Sequence, residues 1–215
     1  MTGELRMDAV SYSLGGEFVT TQVVAKMEET MQAFAVRAAC FVGELDVPYS
    51  EEFDGRDFGA THLLAYVGRE PVGTLRLRWF RSFGMPERLA VVQRFRGHNI
   101  GRLLLEQCYR LAESRGCNVL YSRAVPACLT YLEKQGWRCL EPERPAAVGG
   151  RTAAVVRSVD LAKPWPELDP IDALSLSREF RPEFPVLAAA HGRSVDSPAV
   201  GSRGWDAAGM PGVVI

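Results

Sequence analysis

A glycine-bearing turn between a strand and a helix constrains this sequence more than any other feature. Residues 87–92 alternate apolar side chains as a strand does, and residues 101–115 repeat them at the three- and four-residue spacing of a helix. The turn between them reads Arg96-Gly97-His98-Asn99-Ile100-Gly101. Because the first N–H groups of a helix lack carbonyl partners, this arrangement predicts an anion site, for which a diphosphate is the obvious ligand.

The remaining pattern predicts a single mixed α/β domain. The further predicted strands cover 17–24, 62–67, 72–79, 119–123, 137–140 and 153–161, and the further predicted helices cover 27–41 and 126–135. Residues 68–72 suit a hairpin between two of these strands. The acidic residues 42–57 contain Pro48 and Gly55, which predict a loop or a broken helix.

The pattern divides the chain into four parts. They are an N-terminal lead at 1–16, the domain at 17–163, a partly helical extension at 164–191 and a flexible tail at 192–215. Asp169 and Pro170 suit the start of a short helix that ends near Phe180. The tail holds five Gly, two Pro and three Ser in 24 residues, which favours flexibility.

Composition excludes several classes of function. The 215 residues are 47% hydrophobic and 24% charged, which is typical of a globular chain with a sizeable core. A net charge of -1 lacks the basic excess that neutralising a nucleic-acid backbone requires. The five cysteines and three histidines show no metal-ligand spacing, so no metal site is predicted. Without a leader or a long apolar run, the sequence predicts a reduced, cytoplasmic protein that binds neither nucleic acid nor membrane.

In this order of elements, the chain resembles the GCN5-related N-acetyltransferase (GNAT) superfamily over about residues 17–161. The turn at 96–101, the strand at 119–123 and the string Tyr131-Leu132-Glu133-Lys134-Gln135-Gly136-Trp137 carry the resemblance. The first helix adds Arg37-x-x-Cys40-Phe41-x-x-Glu44, similar to a bacterial branch with the pattern R-x-x-V-F-x-x-E. The resemblance implies one α/β domain with a mixed, mostly antiparallel sheet flanked by helices, followed by a C-terminal extension. It also implies acetyl-CoA as the acyl donor.

The resemblance also implies where acetyl-CoA binds. In the family, backbone amides of a Q/R-x-x-G-x-G/A turn hold the pyrophosphate, and the preceding strand exposes amides that polarise the thioester carbonyl. The matching positions here are Leu89, Ala90, Val91, Arg96, Gly97, His98, Asn99, Ile100, Gly101 and Arg102. Asn99 replaces a family glycine; it tolerates a left-handed backbone but brings a side chain towards the phosphates.

Basic side chains cluster around this turn. They are Arg94, Arg96, His98 and Arg102. Guanidinium groups form charge-assisted hydrogen bonds with phosphates, so the cluster is a candidate for the diphosphate contact. A solvated basic face is the alternative interpretation.

Two side chains are candidates for proton transfer. An amine must lose a proton before it attacks a thioester, and Glu87, beside the strand at 89–91, is the predicted base. A solvated glutamate at a strand edge is the alternative. The family's tyrosine acid falls at Leu132, which places Tyr131 about 100° away around the helix. Tyr131 is therefore either the acid that protonates the leaving thiolate or a core residue.

The acidic segment admits two interpretations. Its candidate members are Glu44, Glu52, Asp54 and Asp57. They form either an electronegative entrance that favours a cationic amine or buried ion pairs with Arg37 and Arg76.

The sequence thus predicts an acetyl-CoA-dependent N-acetyltransferase that acts on a small-molecule or peptide primary amine by direct transfer in a ternary complex. One alternative is an acyltransferase like the acyl-homoserine-lactone synthases, which are marked by a related pattern, R-x-x-V-F followed by E-x-D-x-D and G-x-x-R-L. These synthases share the fold but use acyl carrier protein and S-adenosylmethionine. The other is a catalytically degenerate acyl-CoA-binding regulatory module, suggested by Asn99 and Leu132. The acceptor and the acyl length stay open, and a homodimer is compatible with the sequence.

Overall fold

The computed structural model of the protein describes residues 12–145 and 151–159. The predicted extension at 164–191, its helix near Pro170 and the tail at 192–215 lie outside the described residues. All the predicted strands and helices of the domain fall largely within what is described.

Eight strands of the described part of the chain form one sheet. They are β1 (Tyr12–Leu14), β2 (Glu17–Val23), β3 (Thr61–Val67), β4 (Glu70–Trp79), β5 (Gly84–Val91), β6 (Val119–Ala124), β7 (Arg138–Pro145) and β8 (Arg151–Ser158). Their order in the sheet is β1-β2-β3-β4-β5-β6-β8-β7. Every neighbouring pair is antiparallel except β5 and β6, which run parallel. The predicted mixed, mostly antiparallel sheet is confirmed.

Helices flank this sheet. They are α1 (Met27–Arg37), α2 (Tyr49–Glu52), α3 (Ile100–Ser114) and α4 (Pro126–Lys134), with a π-helical turn at Ala38–Glu44 and a 3-10 turn at Gln93–Phe95. The predicted helix at 27–41 therefore changes its hydrogen-bond pattern after Arg37. The acidic segment contains the short α2, as a broken helix would.

Two differences from the predicted elements have local causes. Strand β1 falls within the residues assigned to the N-terminal lead, because Gly15 and Gly16 adopt φ of 59° and 89° and turn the chain back onto β2. Strand β5 begins at Gly84, three residues before the predicted start, and pairs with Trp79 of β4. The apolar alternation at 87–92 marks only its second half.

Helix α3 packs across the middle of the sheet. Leu104 and Leu105 are fully buried in the main core with Leu75 of β4. Burying each such side chain stabilises the fold by about 1.5–3 kcal/mol. A Cβ at Gly73 would lie 3.1 Å from side-chain carbons of Ile100 and Leu104, so glycine allows the start of α3 to sit close to β4. This packing fixes the turn at 96–101 beside the end of β5.

Candidate active site

The sheet opens between β5 and β6. These parallel strands share the single register pair Gly84↔Leu120, and the Ser122 hydroxyl donates to the Pro86 carbonyl at 2.6 Å. Beyond that point β5 continues to Val91 along β4 without a register partner on β6. The result is a gap between the carboxyl ends of two adjacent strands.

The peptide groups at the end of β5 face this gap. The Val92 N–H donates to the Val72 carbonyl at 2.9 Å, which makes this pair a hydrogen-bonded one. Since hydrogen-bonded and non-bonded pairs alternate in an antiparallel ladder, the peptide groups of Val91, opposite Gly73, point away from β4. The Val91 carbonyl indeed accepts a hydrogen bond from Arg96 Nε at 2.9 Å. The predicted strand amides are therefore directed towards the gap at Val91.

A bulge precedes this end of β5. The register with β4 shifts between Thr74 and Arg76, so Arg88 and Leu89 lie opposite the single residue Leu75. Arg88 adopts φ of 55°, in the left-handed region. Such bulges redirect the backbone and occur often near functional sites.

The turn before α3 has the backbone of an anion site. Gly97 and Asn99 adopt φ of 79° and 60°, so Asn99 takes the left-handed conformation that favours glycine at the family position. No side chain caps α3, and its first turn contains no acidic residue. The first helical hydrogen bond runs from Leu103 N to Asn99 O at 3.0 Å. The N–H groups of Ile100, Gly101 and Arg102 thus have no helical carbonyl behind them.

Three of the four predicted basic side chains, Arg94, Arg96 and Arg102, form ion pairs with carboxylates. The pairs are Arg94 with Glu70, Arg96 with Glu44, and Arg102 with Glu106 at 2.8 Å. The N–H of Arg96 donates to Gln93 O at 3.2 Å, and the His98 carbonyl accepts from the Tyr12 hydroxyl. The sequence did not reveal the carboxylate partners of Arg94 and Arg96 or the contact of Tyr12 with His98, because these residues lie 24, 52 and 86 positions apart along the chain. The pairs of Arg94 and Arg102 are exposed and contribute little to stability.

The predicted base, Glu87, lies in a nearly buried ion cluster. Its Oε1 is 2.9 Å from Arg76 and also contacts Arg78 Nε. Both guanidinium groups are buried, and the Glu87 side chain is 11% exposed. One of its two oxygens is therefore already in contact with two cations, which a solvated strand-edge glutamate would not be.

The acidic segment pairs with buried arginines. Arg37 pairs with Glu52 at 2.5 Å and with Asp57, while Arg76 pairs with Asp54 at 2.7 Å and Asp57 at 3.0 Å. Arg37 and Arg76 are fully buried, and buried cations require such partners. This is the second interpretation of the segment, and it replaces the electronegative entrance for Glu52, Asp54 and Asp57. Glu44 pairs with Arg96 instead.

Asp54 and His62 are among the groups of this cluster whose pKa values are shifted. Burial raises the pKa of Asp54, but the hydrogen bond and charge of Arg76 outweigh burial and lower it. Burial lowers the pKa of His62, which favours the neutral ring, with Nε2 3.2 Å from the Asp57 carbonyl. His62 therefore adds no charge to the cluster at neutral pH.

The predicted acid, Tyr131, is half-buried on α4 and packs against the main core. Burial is the main cause that raises the pKa of Tyr131 to about 12, and the charge of Arg102 acts in the opposite direction. Leu132, at the family's tyrosine position, is fully buried in the core. Leu132 is therefore a core side chain, and Tyr131 is the partly exposed residue of the two.

Within 12–145 and 151–159, no three His, Cys, Asp or Glu side chains are grouped closely enough to hold a metal ion. In the same part of the chain, no helix is both long and apolar enough to cross a membrane.

Comparison with known proteins agrees with this geometry. The model of the GNAT family of acetyltransferases matches residues 27–137, so the chain belongs to the GNAT family. It is 32% identical over 119 residues to the uncharacterised N-acetyltransferase YjcF of Bacillus subtilis (strain 168), a match that covers 55% of this chain and 85% of YjcF.

Solved structures share the fold. A protein described as an N-acetyltransferase from Lactobacillus plantarum matches with a TM-score of 0.62 and 23% identity, over 66% of this chain and 98% of its own. FeeM, an N-acyl amino acid synthase from uncultured soil microbes, matches with a TM-score of 0.59 and 11% identity, over 66% of this chain and 92% of its own. At these identities the matches support the fold alone.

Proposed function

We propose that this acetyltransferase transfers an acetyl group from acetyl-CoA to a primary amine by direct attack in a ternary complex. The observation that carries the proposal is the position of the gap between β5 and β6. At its edge, the Val91 peptide groups lie beside an uncapped helix start. These are the two main-chain features that an acyl-CoA needs, one for its pantetheine arm and one for its pyrophosphate.

The turn and the strand have separate roles in donor binding. Main-chain N–H groups of Gly97 to Arg102 would hold the pyrophosphate, favoured by the positive end of the α3 dipole. The end of β5, at Leu89, Ala90 and Val91, would pair with the pantetheine arm. It would also donate an N–H to the thioester oxygen as negative charge develops there. Acetyl-CoA supplies the acyl group as a thioester, whose carbonyl carbon the amine attacks.

Proton transfer accompanies the attack. The ammonium form of the acceptor carries two protons more than the amide nitrogen that it becomes. One proton must leave before attack, and Glu87 was predicted from the sequence to take it. The second leaves the tetrahedral intermediate as the C–S bond breaks, and the thiolate gains a proton from Tyr131 or from water to give free CoA.

The environment of Asn99 argues against the degenerate regulatory module. The side chain leaves the backbone in the left-handed conformation that the turn requires, at φ of 60°.

All five cysteines are free thiols, which supports the proposal of a reducing, cytoplasmic location. The proposal includes a homodimer, and light scattering of the full chain would test it by measuring the mass in solution.

Calorimetry followed by a thiol-release screen tests the proposal. The full chain should bind CoA and acetyl-CoA, and it should release free thiol from acetyl-CoA with at least one amine. The amines in the screen are spermidine, tyramine, lysine and short peptides with free N-termini. Binding without thiol release would favour the regulatory module. A lactone-forming acyltransferase would ignore CoA and respond to S-adenosylmethionine.

A further inference from the structure

Arg88 joins the β5 bulge to helix α2. Its Nε lies 2.9 Å from Glu52 Oε2, and its NH2 group donates to the main-chain carbonyl of Glu51 at 2.7 Å. The guanidinium also lies over the Phe41 ring, 5.7 Å from its centroid. Two successive residues of α2 are therefore held against the strand whose end faces the gap between β5 and β6.

The carboxylates around the bulge differ in their partners. Three carboxylate oxygens of the described residues are shielded from solvent and make no hydrogen bond: Glu51 Oε2, Glu52 Oε2 and Glu87 Oε1. Glu52 Oε2 lies within ion-pair distance of Arg88, and Glu87 Oε1 contacts Arg76 and Arg78. Glu51 Oε2 has neither a hydrogen-bond donor nor an ion-pair partner among the described residues.

A shielded carboxylate oxygen without a donor is unfavourable, and most buried polar atoms in native proteins have one. The Glu51 residue that carries this oxygen is held on α2 by the hydrogen bond from Arg88 to its main-chain carbonyl. An acceptor amine that enters beside the bulge would supply the N–H that this oxygen lacks. Glu51, a half-buried residue beside the bulge, is thus the one whose carboxylate has an oxygen left to accept a hydrogen bond from an incoming ammonium group.

We propose that Glu51 is the general base of the reaction, accepting the ammonium proton of the acceptor before the amine attacks the thioester. This inference rests on the proposed function and assigns the first proton transfer to Glu51 in place of Glu87. The proton moves from nitrogen to a Glu51 carboxylate oxygen and then to solvent. The freed lone pair forms the N–C bond, the C–S bond breaks, and the second proton ends on the CoA thiol.

The charges around Glu51 suit this role. Burial raises the pKa of Glu51, and the charge of Arg88 from β5 acts in the opposite direction. Glu52, its neighbour on α2, is paired with Arg37 from α1 and with Arg88. On the π-helical turn, Glu44 is paired with Arg96. A carboxylate whose pKa is raised towards the working pH is a better proton acceptor than one that is fully ion-paired.

The test compares Glu51→Gln with the wild-type chain from pH 7 to pH 9.5, with acetyl-CoA and the best amine of the screen. Glutamine has the same shape but cannot accept the proton, so we expect a loss in kcat of about a hundredfold at pH 7. A primary amine with a pKa of about 10.4 becomes increasingly deprotonated as pH rises, so the deficit should shrink at least tenfold by pH 9.5. If Glu51 had only a structural role, the deficit in kcat would not shrink as the amine loses its proton at higher pH.

Asp46→Asn is the matched control. Asp46 is exposed in the same segment, and asparagine accepts its φ of 52°. This variant removes the same charge and should keep wild-type kcat at each pH. A Glu51→Gln variant with wild-type kcat, or with a deficit constant across pH, overturns the assignment while leaving the proposed function intact. A wild-type chain that acetylates no amine in the screen overturns both.

Discussion

The Nε of Arg96 donates a 2.9 Å hydrogen bond to the carbonyl oxygen of Val91. The other end of the guanidinium pairs with Glu44, at the end of the π-helical turn. Arg96 therefore ties the helix that follows β2 to the last residue of β5, beside the gap. A cation held in this way fixes the strand end, and in the proposed donor site the main-chain N–H groups of the turn would bind the anion.

Arg96→Gln tests this structural role. We expect the free energy of unfolding to fall by about 1.5 kcal/mol, because a charged hydrogen bond is lost. The affinity for CoA should change less than about threefold, or 0.7 kcal/mol. Urea unfolding and calorimetry measure the two quantities, with Arg94→Gln as the exposed control. A tenfold loss of affinity without a loss of stability would make Arg96 a phosphate ligand after all.

The Glu87→Gln variant tests whether Glu87 acts as an ion-pair partner or as the general base. Removing one member of a nearly buried cluster leaves Arg78 and Arg76 under-compensated, so the free energy of unfolding should fall by about 3 kcal/mol. The exposed pair of Glu106 with Arg102 supplies the control, since Glu106→Gln should cost less than about 1 kcal/mol. If Glu87→Gln instead keeps full stability and loses turnover at neutral pH but not at high pH, then Glu87 is the base, as predicted from the sequence.

Because the pKa of Asp54 is lowered in the folded chain, the free energy of unfolding depends on pH in the acidic range. The unfolded chain, in which an Asp has a pKa of about 3.9, takes up a proton that the folded chain binds only at lower pH. This contribution to stability is complete above about pH 4 and is lost as pH falls below it. We expect Asp54→Asn to unfold with a shallower dependence on pH in this acidic range. If urea unfolding showed the same change of the free energy of unfolding with pH in both proteins, the assignment would be contradicted.

Tyr131→Phe should have a small effect on turnover. A phenol with a pKa of about 12 stays protonated at neutral pH, yet it is a much weaker acid than a thiol, whose pKa is about 8.5. Proton transfer to the thiolate would therefore be uphill, and we expect kcat to fall less than about threefold. Stopped-flow thiol release gives this number. A loss above a hundredfold with unchanged CoA affinity would establish Tyr131 as the acid.

The sequence predicted the fold because its elements carry local signals. Apolar alternation and helical spacing located all the strands except β1, whose three residues are too few for a period. Two glycines with positive φ form its hairpin, and glycines in a polar stretch do not specify a partner strand. The strand, turn and helix at 87–115 were predicted together because the turn chemistry and both periods agree there.

The partners of charged side chains were not predictable in the same way. Arg88 and Glu51 are 37 residues apart, and Arg96 and Glu44 are 52 apart. Such pairs depend on which sheet edge and helix end meet in the fold. The sequence showed that carboxylates of the acidic segment could pair with Arg37 and Arg76. It did not show that Arg78 and Arg88 join them, or that Glu51 Oε2 has no hydrogen-bond partner among the described residues.

Calorimetric titration of acetyl-CoA tests the central claim, that the turn before α3 anchors the donor. Gly101→Glu places a side chain and a negative charge at the helix start. His98→Glu adds the same charge at an exposed position of the turn and serves if the first variant does not fold. Ser114→Glu, about 20 Å away at the far end of α3, is the matched control.

The wild-type chain and Ser114→Glu should bind acetyl-CoA alike. The two turn variants should bind it at least tenfold more weakly, a loss of about 1.4 kcal/mol, with the fold retained by circular dichroism. Unchanged affinity in a folded turn variant, or no binding by the wild-type chain, would contradict the anchor and the acetyltransferase mechanism built on it.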